Sequence, residues 1–451
     1  MQMPTSIAFL LLSTLLLSFT FHASGLTLIQ LPRNKRTLTF RSGQQLIYRN
    51  SLSSASLPPT LKTGDICLLK TFPDPHGQYD DIGIGVYNEE SMYAIRILAH
   101  HNSELYKTLE GGELTDEEIV YSIFSRKLRA AQSSRLSLGL PSPSTDSYRL
   151  LNGEGDGLSG LSLDVYGPTL TVAMSSAAYV EIHKETIMRC LKDVLECEDV
   201  VWKRTENRLM QDGFVGEEEE EVVVERKEQN IILENGIKYY IQPVGSQKTG
   251  FYTDQRSNRE LVSGLAEGKT VLDLCCFVGA FSLNAAVNGG AKKCTGVDSS
   301  KDAVAAAQKN AELNGVDNCE FIAMGIEAYM KDAISRGLEY DIVILDPPKL
   351  APTVKSLERA SRKYHALNRD ALKLVNKKSG GVLMTCTCSS AMSTMNGGQY
   401  FLNTIQRASL AAGREITLHG RSHAAACHST SPLEGSSNYL TAALIGVAAE
   451  E

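Results

Sequence analysis

Two short stretches of this sequence pair reactive side chains with chain-turning residues. One is Asp346-Pro347-Pro348-Lys349, after the apolar run Asp341-Ile-Val-Ile-Leu345; the other is Thr385-Cys386-Thr387-Cys388-Ser389-Ser390. Two prolines at a strand end force the chain to turn and hold a carboxylate and an ammonium at that edge. In the second stretch, strand alternation predicts Cys386 and Cys388 on one face, with Cys388 farther toward the end. A thiol so placed becomes a nucleophile once neighbouring donors or cations favour its thiolate. A Cys-x-Cys metal site is a rival reading, though no second ligand pair offers itself. Two inert strand cysteines stand level with both at this stage.

A third stretch, Asp273-Leu-Cys-Cys-Phe-Val-Gly279-Ala-Phe281, reads as the first turn of a nucleotide-type sheet. It lacks the G-x-G-x-x-G that lets a pyrophosphate approach a helix N-terminus. One glycine with an acid at the strand end suits a ligand with a cationic amino-acid tail. Asp298 follows at the end of the next strand, nineteen residues after Gly279, where a carboxylate can take both ribose hydroxyls. Together these favour S-adenosylmethionine over a nicotinamide dinucleotide.

Such residues need a parallel sheet to bring strand ends together. From about 236 to 451, strands alternate with helices: Thr270–Leu274, Cys294–Val297, Glu320–Ala323, Asp341–Leu345 and Gly381–Thr387, with helices at Phe281–Val287 and Lys301–Leu313. Ser299 or Ser300 caps the second helix and Asn314-Gly315 closes it. This is a doubly wound α/β pattern whose ligand edge lies at the carboxyl ends of the strands. A central α+β unit is expected over 145–235, with a strand at Leu161–Val165 and a helix at Tyr179–Leu195. The acidic run Glu217–Glu221 reads as a solvated loop. Residues 37–112 alternate in short runs bounded by Gly, Asp and Asn, as in a small β-barrel or sandwich. A helix and linker at 113–144, with the helix over Thr115–Ala131, follow them.

The 451 residues suffice for two or three domains, and 43% hydrophobic content excludes a largely disordered chain. A net charge of −7 excludes a histone-like general binder of nucleic acid while leaving room for a local basic groove. The ten cysteines form no paired C-x-x-C units, so no metal is expected. Residues 1–25 hold a signal-like apolar core, Ile7–Phe21, too short for a comfortable membrane span. The stretch at 26–36 that follows is basic and acid-poor, like a transit peptide. The pairing fits two-step import into a plastid with extra envelope membranes, with the mitochondrion as alternative. No membrane association of the mature protein is expected.

These motifs, in this order, resemble the bacterial 23S ribosomal RNA large-subunit methyltransferase I family. The similarity runs from about 37 to 446. Its most specific stretches are Arg149-Leu-Leu-Asn-Gly-Glu-Gly-Asp-Gly-Leu-Ser-Gly-Leu161 and Lys248-Thr-Gly-Phe-Tyr-Thr-Asp254-Gln255-Arg256-Ser-Asn-Arg259, beside the three stretches above. The resemblance implies a class I methyltransferase fold, a mostly parallel doubly wound sheet, preceded by a PUA-like RNA-binding domain. It implies transfer of methyl from S-adenosylmethionine to carbon 5 of a cytosine in large-subunit ribosomal RNA. Cys388 matches the family's catalytic cysteine, and Asp346 would hold the pyrimidine. Asp273, Gly279, Phe281, Asp298 and the adjacent Ser299 match cofactor positions. Lys248, Asp254, Gln255, Arg256 and Lys349 are implied as substrate or RNA contacts, with Arg256 and Lys248 as phosphate ligands.

The chain departs from the pattern at Met324-Gly325, where the family has an acid for the adenine. Glu327, or backbone and apolar contacts alone, are then left to hold the adenine. Cys427-His428-Ser429 replaces an Asp-His-Pro, and His428 reads as a structural residue. Two other functions compete. One is methylation of an exocyclic base amine, against which Lys349 in place of an aromatic and Cys388 both argue. The other is a non-catalytic RNA-binding assembly factor, which would show no cofactor binding.

Overall fold

A computed structural model of the chain describes residues 26–52, 57–110, 112–197, 199–216, 230–242, 249–351, 353–433 and 439–450. The signal-like leader, the acidic run and Lys248 lie outside the described residues. The chain divides into two compact units.

The first comprises the residues up to 127 with 176–194 and 205–216. Its strands are β1 (Thr27–Leu31), β2 (Leu46–Tyr48), β3 (Ile66–Thr71), β4 (Asp81–Tyr87) and β5 (Tyr93–His100). They form one sheet in the order β1-β3-β4-β5-β2, with β1 parallel to β3 and the other pairs antiparallel. Ile29 of one edge strand and Ile47 of the other share one buried cluster with Phe40, Leu69 and Ile97. The sheet therefore wraps a single core, and among the described residues its two edge strands do not pair with each other.

The basic stretch at 26–36 takes part in this fold. Thr27–Leu31 is a strand in register with Cys67–Thr71. The Arg33 guanidinium donates to Asp80 Oδ2 at 2.6 Å and to the carbonyls of Phe72 and Gln78. Its acid lies 47 residues away, so the stretch looks acid-free only when read locally. The helix expected over Tyr179–Leu195 appears as two, Ala178–Ile182 and Lys184–Leu195, and both group with this first unit apart from the last residue. Asp212 anchors the segments here: it pairs with Arg96 at 2.6 Å and accepts from Asn88 and from the Ala178 amide. Both charges of the pair are buried, and removing one would strand the other.

The second unit holds three sheets. Strands β6 (Ser147–Asn152), β7 (Leu161–Tyr166), β8 (Leu170–Ser175) and β9 (Asp199–Arg204) pair in sequence order. Strands β10 (Asn230–Glu234) and β11 (Ile237–Ile241) form a hairpin. The third sheet has seven strands: β12 (Thr270–Leu274), β13 (Lys293–Asp298), β14 (Cys319–Ala323), β15 (Ile342–Leu345), β16 (Gly381–Thr387), β17 (Ile416–Ser422) and β18 (Thr441–Val447). Their order is β14-β13-β12-β15-β16-β18-β17. All pairs are parallel except those made by β18, which runs antiparallel to both neighbours.

Alternation along these strands sorts two cores. Leu272, Leu274, Val343, Leu345 and Leu383 pack with Tyr364, Leu367 and Phe401 on one face. Val271, Ile342, Ile344, Met384 and Cys386 pack with Val262, Phe281 and Ala285 on the other. Apolar residues on both faces are what a sheet covered by helices on each side requires. The strand order reverses beside β12, and this switch point brings the carboxyl ends of β12, β13, β15 and β16 to one edge.

Candidate active site

Asp273 sits on β12 and is 1% exposed. Its Oδ2 accepts from the Ser282 amide at 3.1 Å and hydroxyl at 2.9 Å, whereas its buried Oδ1 has no partner. Burial pushes this carboxyl up to about 7, and the charges of Asp346 and Asp298 add to the effect. The turn after it is strained, for Cys275 (φ 68°) and Phe277 (φ 48°) are both left-handed. Non-glycine residues there cost about 1–2 kcal/mol each and persist where the surroundings fix them.

The strain places the Phe277 amide 3.0 Å from Asp298 Oδ2, and Asp298 Oδ1 accepts from the Ser300 amide at 2.9 Å. Each carboxylate oxygen keeps a second acceptor position, which suits a vicinal diol. Ser300, not Ser299, caps the following helix, its Oγ accepting from Ala303. Ser299 is exposed beside Asp298. Phe277 also meets Tyr252 edge to face at 5.2 Å. Neither aromatic was singled out from the sequence, where no spacing marks them.

Two of the matched cofactor positions, Phe281 and Gly279, also have packing roles. Phe281 is 6% exposed and packs with Val262, Val271 and Ala285 in the second core. It lies in the first turn of the helix Ala280–Val287 and packs against the sheet. Gly279, at φ 79°, starts the helix Ala280–Val287, and a Cβ there would lie 2.8 Å from the Phe321 ring. That glycine answers to backbone and packing, with no ligand needed to explain it.

The acceptor arrangement fits S-adenosylmethionine. A buried carboxylate oxygen without a partner, with two further acids near it, is costly unless a cation arrives. That cofactor carries two positive groups, the ammonium of its amino-acid end and the sulfonium. On the adenine side, Gly325 faces open space and Met324 is 41% exposed. Glu327 forms a 2.5 Å ion pair with Lys363.

At the neighbouring strand ends, Asp346 follows β15 and Cys388 follows β16. Strand β16 ends at Thr387, so alternation stops one residue short of Cys388. Cys386 is fully buried and its thiol is held well above the ordinary range by burial, next to Asp346, Gln255, Cys388 and Asp254. Cys388 is only half-buried. The strand therefore separates an inert thiol from an accessible one. Two latches hold this strand end, one to the loop after Asp346 and one to the helix Leu357–Lys373. Ser389 Oγ donates to the Ala351 carbonyl, and Thr387 Oγ1 hydrogen-bonds Tyr364 Oη at 2.8 Å. Tyr364, fully buried, was not foreseen. Lys349 is exposed at the same edge.

The segment 249–259 is a buried brace. Thr249 donates to Asp164 at 2.7 Å, Arg259 pairs with Glu234, and the Tyr439 hydroxyl donates to Asp254 at 2.6 Å. Gln255 donates to Asp346 Oδ2 at 2.8 Å. Arg256, expected on RNA phosphate, is 9% exposed and donates to the Ser147 carbonyl and Cys427 Sγ. Its charge is spent inside the fold. His428 is likewise buried, 3.5 Å from Cys427 Sγ.

A profile of the S-adenosylmethionine-dependent methyltransferase family matches residues 185–411. A ribosomal RNA large subunit methyltransferase I from Photobacterium profundum is 34% identical over 352 residues, covering 76% of this chain and 82% of that one. The same-named enzyme of Aeromonas salmonicida is 35% identical, covering 67% and 75%. Among solved structures, an S-adenosylmethionine-dependent methyltransferase from Streptococcus mutans superposes with a TM-score of 0.70 at 24% identity, over 93% of this chain and all of that one. A methyltransferase solved with S-adenosylhomocysteine superposes at 0.72, also at 24% identity and over the same shares.

Proposed function

Because this chain belongs to the ribosomal RNA large subunit methyltransferase I family of S-adenosylmethionine-dependent enzymes, we propose that it makes 5-methylcytosine in large-subunit ribosomal RNA. The observation that carries this reading is the meeting, at one sheet edge, of an accessible cysteine after β16 and a carboxylate after β15, beside the acid-lined end of β12. Exocyclic amines need no thiol, so Cys388 favours ring carbon.

Carbon 5 of cytosine is a poor nucleophile until the ring is activated. Cys388 as thiolate adds to carbon 6, and carbon 5 becomes enamine-like. Asp346 holds the N3 and amino edge of the base, accepting the hydrogen bonds which that edge donates once N3 is protonated in the adduct. Asp273 takes the ammonium of the amino-acid end of S-adenosylmethionine and Asp298 its ribose. When bound, that cofactor supplies an electrophilic methyl group. A base then removes the carbon 5 proton, and the Cys388 thiolate is expelled as the ring double bond reforms. The target cytosine must be unpaired or flipped to reach Cys388.

The test uses the purified protein, unmodified large-subunit rRNA and labelled S-adenosylmethionine, with nucleosides resolved by mass spectrometry. The wild-type protein is expected to yield 5-methylcytosine and Cys388→Ala none, with cofactor binding retained. Label on an exocyclic amine, or undiminished product from Cys388→Ala, overturns the proposal.

A further inference from the structure

Gln255 is 3% exposed and hydrogen-bonded at both ends of its amide. Its Nε2 donates to Asp346 Oδ2 at 2.8 Å, and its Oε1 accepts from Asn258 Nδ2 at 2.5 Å. Asn258 is fully buried, and its Oδ1 accepts from Ser422 Oγ at 2.5 Å. This relay of Ser422, Asn258, Gln255 and Asp346 has two self-consistent directions. In the observed one the Ser422 hydroxyl donates, each amide passes its N–H onward, and Asp346 receives. In the other, both amides turn over and Asp346 must carry a proton to donate to Gln255.

We propose that Gln255 is a positioning residue that keeps Asp346 a hydrogen-bond acceptor, and that this selects cytosine over uracil. The inference rests on the carbon 5 reading above. When the thiolate forms its bond to carbon 6 of cytosine, the displaced electron pair travels through the ring to N3, which takes a proton from water. The N3–H and amino edge then donates two hydrogen bonds, matching an acceptor. In uracil the same pair collects on O4, which needs a donor and is repelled by a carboxylate. A donor–acceptor mismatch in a half-buried site costs far more than a lost apolar contact. Ser422 and Asn258 act one step back, fixing which end of the Gln255 amide faces Asp346.

The experiment measures tritium release from unmodified large-subunit rRNA transcripts labelled at carbon 5 of either cytidine or uridine, with S-adenosylmethionine present. Wild type, Gln255→Leu and the near-isosteric Gln255→Glu are compared from pH 6 to 8.5. The affinity for S-adenosylhomocysteine reports whether each variant keeps its fold. Gln255→Leu is expected to lower kcat about tenfold or more while that affinity stays within about twofold, and to cut the cytidine-to-uridine ratio about tenfold. In Gln255→Glu two adjacent carboxyls share a proton, so kcat is expected to fall as pH rises through this range, unlike that of wild type. A purely structural residue would leave both the base ratio and the pH profile unmoved, and that result overturns the inference. Absence of release from cytidine by wild type overturns the carbon 5 reading itself, whatever the variants do.

Discussion

Burial pushes the Asp273 carboxyl from an ordinary 3.8 to about 7. A carboxyl whose folded value lies above its unfolded one takes stability away as pH rises between the two values, and the penalty is complete above 7. A cation binds only the ionised form. Affinity for S-adenosylhomocysteine, which keeps the ammonium, is therefore expected to tighten about tenfold between pH 5.5 and 7 by calorimetry. Asp273→Asn should lose that affinity about tenfold or more, yet melt no lower than wild type at pH 8. A melting point several degrees below wild type there would show that the carboxylate supports the fold. Legible from the sequence were the candidate residues whose chemistry is declared by type at a strand end, Asp273, Asp298, Asp346 and Cys388, which the fold brings to one sheet edge. Arg256 misled because an arginine looks the same whether it faces phosphate or a buried carbonyl. Tyr364 and Phe277 were invisible because their partners, Thr387 and Tyr252, are joined to them only by the fold.

Elements were read more securely than side-chain directions. The strand Thr270–Leu274, the helix Lys301–Leu313 and the strand Gly381–Thr387 have the bounds expected from their patterns. Their caps and apolar spacing are local, and local signals survive folding. The strand Thr27–Leu31 was not legible because its pairing with β3 is non-local. The turn between β12 and the helix Ala280–Val287 offers a direct check. Gly279→Ala adds a Cβ 2.8 Å from the Phe321 ring at a left-handed position, and is expected to cost about 2–3 kcal/mol in chemical denaturation. Phe321→Leu in the same chain should recover the overpacking part and leave the backbone part. If the double variant is no more stable than Gly279→Ala alone, the clash with Phe321 is not what the glycine avoids.

Across the second unit, one buried cation ties three distant stretches together. Arg135 donates to both oxygens of Asp156 at 2.6 and 2.8 Å, and to the Cys427 carbonyl at 2.7 Å. Ser429 Oγ donates to Asp156 at 2.6 Å, and a Cβ on Gly155 would lie 2.1 Å from the Ser429 carbonyl oxygen. The glycine-rich stretch at 153–157 is thus a seat for the loop at 425–429, whose Ala425 amide in turn donates to the Asp254 carbonyl at 2.8 Å. Arg135→Met leaves Asp156 buried without its cation and is expected to cost about 3–5 kcal/mol, read by denaturant unfolding. Adding Asp156→Asn should restore part of that loss; strictly additive costs would show that the pair does not act as a unit. The sheet order has a consequence for synthesis. Strand β18 is inserted between β16 and β17, although it is made after both. Until it leaves the ribosome, β17 has no neighbour, β16 keeps a bare edge next to Cys388, and Tyr439 has not reached Asp254. The nascent chain therefore carries Cys388 beside an open sheet edge, the kind of surface that recruits a chaperone or a wrong strand, until that last strand slides home.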